Sequence, residues 1–364
     1  MHHPGHYHIL FQAMQELFED IIAVPETFRP DGEIIGYTRQ GKPLQAHRFG
    51  GGRCPVSLIA GCHADEPVGP RFLNHLVGYL AQLAPEKPLL KDYQWWIVPH
   101  ANPDGEEENR QWYTDRDEAM DLVGYLSYFK REPPGDDMEF GFPRDQDDLE
   151  ARSENRGIVQ WWKTADQPFQ LHVSLHGIAF AGGPWFLIEP AWASRCQQLK
   201  SVCRQAVTRM GYRLHDVDRQ GEKGFRRLEK GFCTRPGWRA MARYFLDRQD
   251  EATAGKFRPS SMEAIRALGG DPLTLVSEMP LFLLPGVGET LGPPDPEAVR
   301  WKERIEGWKA GIGRGEEVGE GILREAAELG LEAMSVRDQM RLQWTLIAAG
   351  VGQVQLNAGQ MGAD

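Results

Sequence analysis

Four side chains in this sequence could together activate a water molecule. His63 and Glu66 sit three positions apart in Gly61-Cys62-His63-Ala64-Asp65-Glu66, directly after the apolar run Val56 to Gly61. His176 follows a second apolar run, Leu171 to Leu175, and Glu278 follows a third, Leu273 to Ser277. A catalytic zinc takes three protein donors and leaves its fourth position to water, and two His plus one Glu is one of the known donor sets. His and Glu at this spacing can project from one turn onto a single ion. Taken alone the pair is a weak signal, better read as a surface His-Glu pair. Its weight comes from the features around it: the turn Asn102-Pro103-Asp104-Gly105, an arginine-rich segment after that turn, the isolated His176, and Glu278. A carboxylate that ends an apolar run is costly unless paired or functional. Near a zinc it is suited to take a proton from water and return it to a leaving amine.

These residues need a scaffold that delivers them from distant parts of the chain. Short apolar runs at Val56 to Gly61, Tyr93 to Val98, Leu171 to Leu175, Trp185 to Ile188 and Leu273 to Ser277 read as strands. Pro67 to Ala81, Ile158 to Thr164 and Ala193 to Met210 have helix-compatible spacing. The alternation predicts an α/β fold, a mixed, largely parallel twisted sheet with helices on both faces. In this reading both histidines and the Asn102-Pro103-Asp104-Gly105 turn fall just beyond strand ends, where open α/β sheets bind ligands. His172, Ser174 and His176 alternate along one strand and face one side. His172 reads as a buried, hydrogen-bonded histidine or as a second-shell partner of His176, and Asp104 as a turn stabiliser or an orienter of a histidine. Residues 113–156 hold a Pro/Gly/Asp-rich stretch and read as a substrate-side loop, while 319–354 suggest one or two closing helices. The division expected is an N-terminal stretch 1–50, a catalytic domain 51–312 and a C-terminal helical extension 313–364.

With 41% hydrophobic and 26% charged residues, this is an ordinary globular composition. The net charge of -11 argues against a nucleic-acid partner. No stretch suits a membrane span and no secretory leader is evident, so a cytoplasmic protein with reduced thiols is expected. The five cysteines, Cys54, Cys62, Cys196, Cys203 and Cys233, lack CxxC spacing. His2, His3, His6 and His8 at the terminus read as adventitious metal binders at most.

Across Gly51 to Pro285 the ordered set resembles the zinc carboxypeptidase family, the funnelin-type metallocarboxypeptidases with their amidohydrolase and deacylase relatives. The matching stretches are Gly61 to Glu66, Asn102 to Gly105, Asn109-Arg110-Gln111-Trp112, Ser174-Leu175-His176, and Glu278 with Phe282-Leu283-Leu284-Pro285. The resemblance implies a zinc carboxypeptidase-like fold, Zn2+ on His63, Glu66 and His176, and Glu278 as general base. It implies an oxyanion-stabilising arginine, for which Arg116 is marginally preferred over Arg110. It implies a guanidinium fork on the substrate's terminal carboxylate, for which Arg131 stands, with Lys130 where the family has asparagine. The family's flexible tyrosine has no counterpart between Ala254 and Glu263. The activity implied is release of a C-terminal amino acid from a peptide, with a small-molecule or cell-wall-peptide amidase as the alternative. A catalytically silent zinc-containing peptide-binding protein is the reading from another class. The partner expected is a peptide or acyl-amino-acid substrate, with no nucleic acid and no membrane; oligomeric state is not legible.

Overall fold

The computed structural model describes residues 4–361 apart from 115, 217, 290, 292–294 and 316–317, and the side chains of 7–357 within that range; His2, His3 and the His6 side chain lie outside it. Ten strands form one sheet: β1 (Glu33–Tyr37), β2 (Pro43–Phe49), β3 (Cys54–Ala60), β4 (Tyr93–Val98), β5 (Leu171–Ala181), β6 (Trp185–Ile188), β7 (Arg227–Glu229), β8 (Phe232–Thr234), β9 (Leu273–Leu283) and β10 (Glu332–Ala333). Their order is β1-β2-β4-β3-β5-β9-β6-β8-β7, with β10 laid against β9. The central strands β4, β3, β5 and β9 are parallel, and antiparallel pairs occur at both flanks.

Every residue of β3 is buried, which is why this strand reads as an unbroken apolar run rather than an alternating one. Leu58, Val173 and Leu275 point into the larger core beneath the helices Val68–Ala81, Gln197–Arg209 and Val336–Met361. The opposite face packs Ile59, Trp96, Phe142, Ile158 and Trp162 beneath the helix Ser153–Trp162. Alternation along β5 then sets His172, Ser174 and His176 on that second face. His172 is wholly buried, its Nδ1 3.0 Å from Ser57 Oγ and its Nε2 3.1 Å from Ser261 Oγ. It braces β3, β5 and the helix Ser261–Ala267, with both ring nitrogens taken up by those two hydroxyls.

Burial holds the His172 imidazole neutral and pushes its pKa down from 6.5 to about 3, with Arg235 and His176 adding repulsion. Below its ordinary pKa the unfolded chain takes up a proton that the folded chain refuses. The contribution is therefore complete above pH 6.5 and is lost as pH falls towards 3, at on the order of 1.4 kcal/mol per pH unit. Urea midpoints measured from neutral pH downwards should fall, and His172→Asn should flatten that slope. An unchanged slope in the variant would remove His172 from the acid response.

Two strand readings need correction. β5 and β9 do not stop at Leu175 and Ser277; they run on to Ala181 and Leu283. His176 and Glu278 therefore lie within strands. The reason is that β5 and β9 pair with each other beyond the point where β3 and β4 end, with register continuing from His176↔Glu278 to Ala181↔Leu283. Pro280 is accommodated in β9 opposite Ile178 of β5. Nor do the boundaries at 50 and 312 separate cores. β1 and β2 join the same sheet, and the helix Val336–Met361 buries Trp344, Leu346 and Val351 in the larger core. Residues 113–156 also contain a helix, Leu122–Tyr128, capped by the Asp121 carboxylate, which accepts from Val123 N and Gly124 N. Among the described residues no helix is long and apolar enough to cross a membrane.

Candidate active site

Where β3 ends, Gly61 turns the chain with φ +69, and a Cβ there would stand 2.7 Å from the His100 ring. Only glycine fits this corner. The next residues form a turn in which Glu66 N donates to His63 O at 3.4 Å, so the two side chains leave the turn together. They meet His176, which β5 carries past the end of β3. One donor atom from each of His63, Glu66 and His176 lies within 4.8 Å of the others.

Glu66 is the hub of this cluster. Its Oε2 lies 3.0 Å from His176 Nδ1 and accepts from Gly177 N at 3.1 Å, while Oε1 accepts from Arg131 at 3.2 Å. Burial alone would raise this carboxyl, but His63, His176 and Arg131 hold it down at about 2. His63 presents a buried Nδ1 with no hydrogen-bond partner among the described residues. Burial and the neighbouring Arg131 push its pKa well below 6.5, so the ring is neutral and a lone pair is free.

The far side of His176 is equally built. Its Nε2 lies 2.8 Å from Ser174 Oγ and 3.1 Å from Glu139 Oε2. An imidazole whose Nε2–H is given to a carboxylate presents Nδ1 as a lone pair, the arrangement of a histidine ligand backed by an acid. Here a second carboxylate, Glu66, faces that Nδ1. Against the cost of burial, Glu66 and Glu139 raise the pKa of His176 well above 6.5. A divalent cation in place of that extra proton satisfies Glu66, His176 and the orphaned His63 nitrogen at once, so the donor set fits zinc. Cys62 also approaches Glu139 and His176, and burial pushes its thiol up to about 11.

Glu278 is the cross-strand neighbour of His176 on β5 and of Trp185 on β6, so all three share one face of the sheet. Burial pushes its carboxyl up to about 8, Glu66 adds to the rise, and His176, Arg131 and Arg219 oppose it. A cation at the neighbouring donors would favour the ionised form.

Arg131 also reaches the site. Its guanidinium pairs with Asp65 and with Glu66, each at 3.2 Å. Its placement comes from the turn motif: Asn109, at the end of the helix Pro103–Asn109, donates to Lys130 O at 2.9 Å and accepts from Lys130 N at 2.9 Å. Asp104 accepts from Thr38 Oγ1 at 2.9 Å and Gln40 N at 3.1 Å, so it anchors the β1–β2 hairpin and orients no histidine. Asn109→Ala would take away the side-chain partner of the Lys130 amide and carbonyl in a part-buried setting. It should cost about 2 kcal/mol of stability and lower turnover by loosening Arg131. Urea midpoints and kcat measured together test this, and a fully stable variant would refute the clamp.

The structure does not bring Arg110 or Arg116 to the cluster. Arg110 pairs with Glu106 at 2.5 Å and lies 5.1 Å over the Tyr113 ring. Arg116 is exposed, and its backbone N donates to Thr114 Oγ1. Arg110 is the C-cap residue of the helix Pro103–Asn109, and Arg116 lies in the segment that follows it. The oxyanion role expected of them does not fit this geometry. Glu139, by contrast, escaped the sequence reading. Its signal is slight: an acidic residue set among Met138, Phe140 and Phe142, which the fold buries.

An α/β sheet with two histidines and a glutamate converging beside a partly buried carboxylate, where β3 and β4 end, forms a candidate metal site. Residues 31–213 match the zinc carboxypeptidase family model, half of the chain, and the chain belongs to that family. Solved structures similar to it include a proposed metallopeptidase of Shewanella amazonensis, 16% identical over 83% of this chain and 91% of that one, TM-score 0.43. Bovine thrombin-activatable fibrinolysis inhibitor, in complex with tick carboxypeptidase inhibitor, is 14% identical over 94% and 97%, TM-score 0.44. A metallo-carboxypeptidase of Burkholderia cenocepacia is 15% identical over 94% and 69%, TM-score 0.43. No curated protein matches the chain.

Proposed function

We propose that this protein is a zinc-dependent hydrolase that cleaves an amide bond and releases a C-terminal amino acid from a peptide. The observation that carries the reading is register. β5 and β9 set His176 and Glu278 side by side, and the turn after β3 adds His63 and Glu66 to the same group. Zinc held by His63, Glu66 and His176 would lower the pKa of a bound water to about 7 and polarise the scissile carbonyl.

The protein's own groups supply the remaining steps. Glu278 accepts the proton of the attacking water and passes it to the leaving nitrogen, a transfer open to a carboxylate in a partly enclosed site. Arg131, beside Glu66, supplies positive charge towards the developing oxyanion in place of Arg110 and Arg116. Glu139 and Ser174 hold the His176 ring in one orientation.

A second reading, a small-molecule or cell-wall-peptide amidase of the deacylase branch, is favoured by one observation. The Arg131 fork is already engaged by Asp65 and Glu66, which weakens the case for a family-type carboxylate clamp at Lys130-Arg131. Zinc-loaded protein should be incubated with blocked peptides and with N-acyl-amino acids, and released amines followed by mass spectrometry. Release of single C-terminal residues supports the first reading, and turnover confined to acyl-amino acids supports the second. Zinc-insensitive turnover, or cleavage within the peptide only, would refute both.

A further inference from the structure

One stretch of this acidic chain is basic. Arg219 to Arg248 holds nine of the 41 Lys and Arg and only three of the 52 Asp and Glu. The fold gathers much of that charge around one groove of about 970 Å³, at the end of the sheet where β7 is the last strand. The strand wall of the groove supplies Lys223, Arg226 and Arg227. The opposite wall, formed by the helix Trp238–Leu246 and the turn after it, supplies Arg243 and Arg248. An anion lying in the groove meets cations from both sides.

The protein's own carboxylates match this charge only in part. Arg227 is tied to Asp216 at 2.9 Å. Arg243 and Arg248 have Asp247 and Glu222, each at 3.9 Å and well exposed, and surface pairs of that kind contribute little. Among the described residues no carboxylate lies within ion-pair distance of Lys223 or Arg226. Lys223 Nζ stands 4.4 Å and the Arg248 guanidinium 3.4 Å from the centre of the Tyr244 ring, so one aromatic side chain holds a cation from each wall. Burial, then the charges of Arg219 and Arg248, lower the pKa of Lys223. The backbone is constrained as well. Gln220, Lys223 and Gln249, with φ 50, 56 and 62, are the non-glycine residues of left-handed φ among the described residues, and all three belong to the two turns that frame this groove. Side chains disfavour that region, and strain of this kind collects at binding sites.

We propose that this groove docks a short, extended, acidic polypeptide segment of a partner protein, apart from the metal site. Charge complementarity fixes the sign of the occupant. The acid-rich remainder of the chain limits its size. An anionic bilayer or a nucleic acid longer than the groove would carry its phosphates onto that remainder, within the roughly 8 Å over which charges act at physiological salt, whereas a segment of a few residues stays among the cations. The end of the sheet fixes its form. β7 has a strand partner, β8, on one side only, and the outer edge of a strand is where an extended chain docks, its side chains alternating between two directions. Carboxylates in the groove pair with Lys223 and Arg226 and replace the weak partners of Arg243 and Arg248.

The probe is a fluorescent hexaglutamate, acylated at its N-terminus and amidated at its C-terminus, so that it offers the metal site no terminal carboxylate. It should bind the full-length protein one to one by anisotropy, equally with zinc and after chelation, and more weakly as salt is raised. The double variant Lys223→Gln/Arg226→Gln should bind it roughly ten-fold more weakly. Neither residue has an ion pair to lose, so the urea midpoint of that variant should hold. Tyr244→Leu, which keeps every charge and removes the ring that holds Lys223 and Arg248, should also weaken binding. Arg300→Gln, an exposed change on the helix Pro296–Gly313, should not.

Vesicles of phosphatidylserine and phosphatidylcholine, a twelve-nucleotide single strand and inorganic tripolyphosphate serve as competitors. Displacement by unlabelled peptide at concentrations where none of these competes supports the proposal. Displacement by any of them as readily as by peptide overturns the choice of a polypeptide. Absence of binding at physiological salt, binding that requires zinc, or binding indifferent to Lys223→Gln/Arg226→Gln overturns the groove itself. The blocked probe reports docking without cleavage, so these outcomes stand whether or not the protein hydrolyses amides.

Discussion

Replacing Glu278 by Gln should lower kcat by about 10²- to 10⁴-fold while the zinc content of the protein stays unchanged. The amide fills the space of the carboxylate and cannot accept a proton. Glu278 is not one of the three clustered donors, so metal retention is expected together with loss of rate. Its partly buried position between His176 and Trp185 makes the neutral isostere easy to accept, because burial already resists the charged form. Stability should therefore hold or rise slightly. Parallel assays of kcat, metal content by mass spectrometry and urea unfolding decide the matter. Normal turnover in this variant would remove Glu278 from the chemistry, and loss of zinc would move it into the coordination shell.

Replacing His176 by Ala should abolish stoichiometric zinc and bring turnover to background. It should also destabilise the protein by about 3–5 kcal/mol, for a reason separate from the metal. His176 stands between two carboxylates, with Glu66 3.0 Å from one ring nitrogen and Glu139 3.1 Å from the other. Removing the ring leaves two buried acids facing a void with no imidazole between them. Chelation of the unsubstituted protein should lower its melting temperature by less, because the imidazolium can still bridge the pair. The comparison to make is calorimetric melting of chelated protein against His176→Ala. A variant no less stable than the chelated protein would show that Glu139 does not depend on His176.

Much of the scaffold was legible because its strands announce themselves. β4 and β6 were readable to their ends, since Tyr93-Gln94-Trp95-Trp96-Ile97-Val98 and Trp185-Phe186-Leu187-Ile188 are apolar runs bounded by turn residues. β5 and β9 were readable only in their first halves. Their second halves pair with each other and carry Gly177, Pro280 and polar positions that look like the close of a strand. The short β7, β8 and β10 have no periodicity to find, and β10 has two residues. Within the site, His63, Glu66, His176 and Glu278 were visible because each follows an apolar run. Glu139 was not, because it lies in a stretch whose course is set by tertiary contacts. The arginines of the segment after Gly105 were placed by spacing alone. Spacing cannot tell which partners these side chains take: Arg110 pairs with Glu106 and lies over the Tyr113 ring, and Arg116 is exposed.

The overrun of β5 and β9 beyond their neighbours has a mechanical corollary. The separation of His176 from Glu278 is fixed by a hydrogen-bonded ladder with adjacent rungs on both sides, which cannot slip by one residue without turning both side chains to the other face. Arg131, which pairs with Asp65 and Glu66, hangs instead from one of the irregular connections around the sheet. Insertions or substitutions in those connections can retune what is accepted without disturbing the spacing on which proton transfer depends, so selectivity and reactivity in this molecule are separately adjustable.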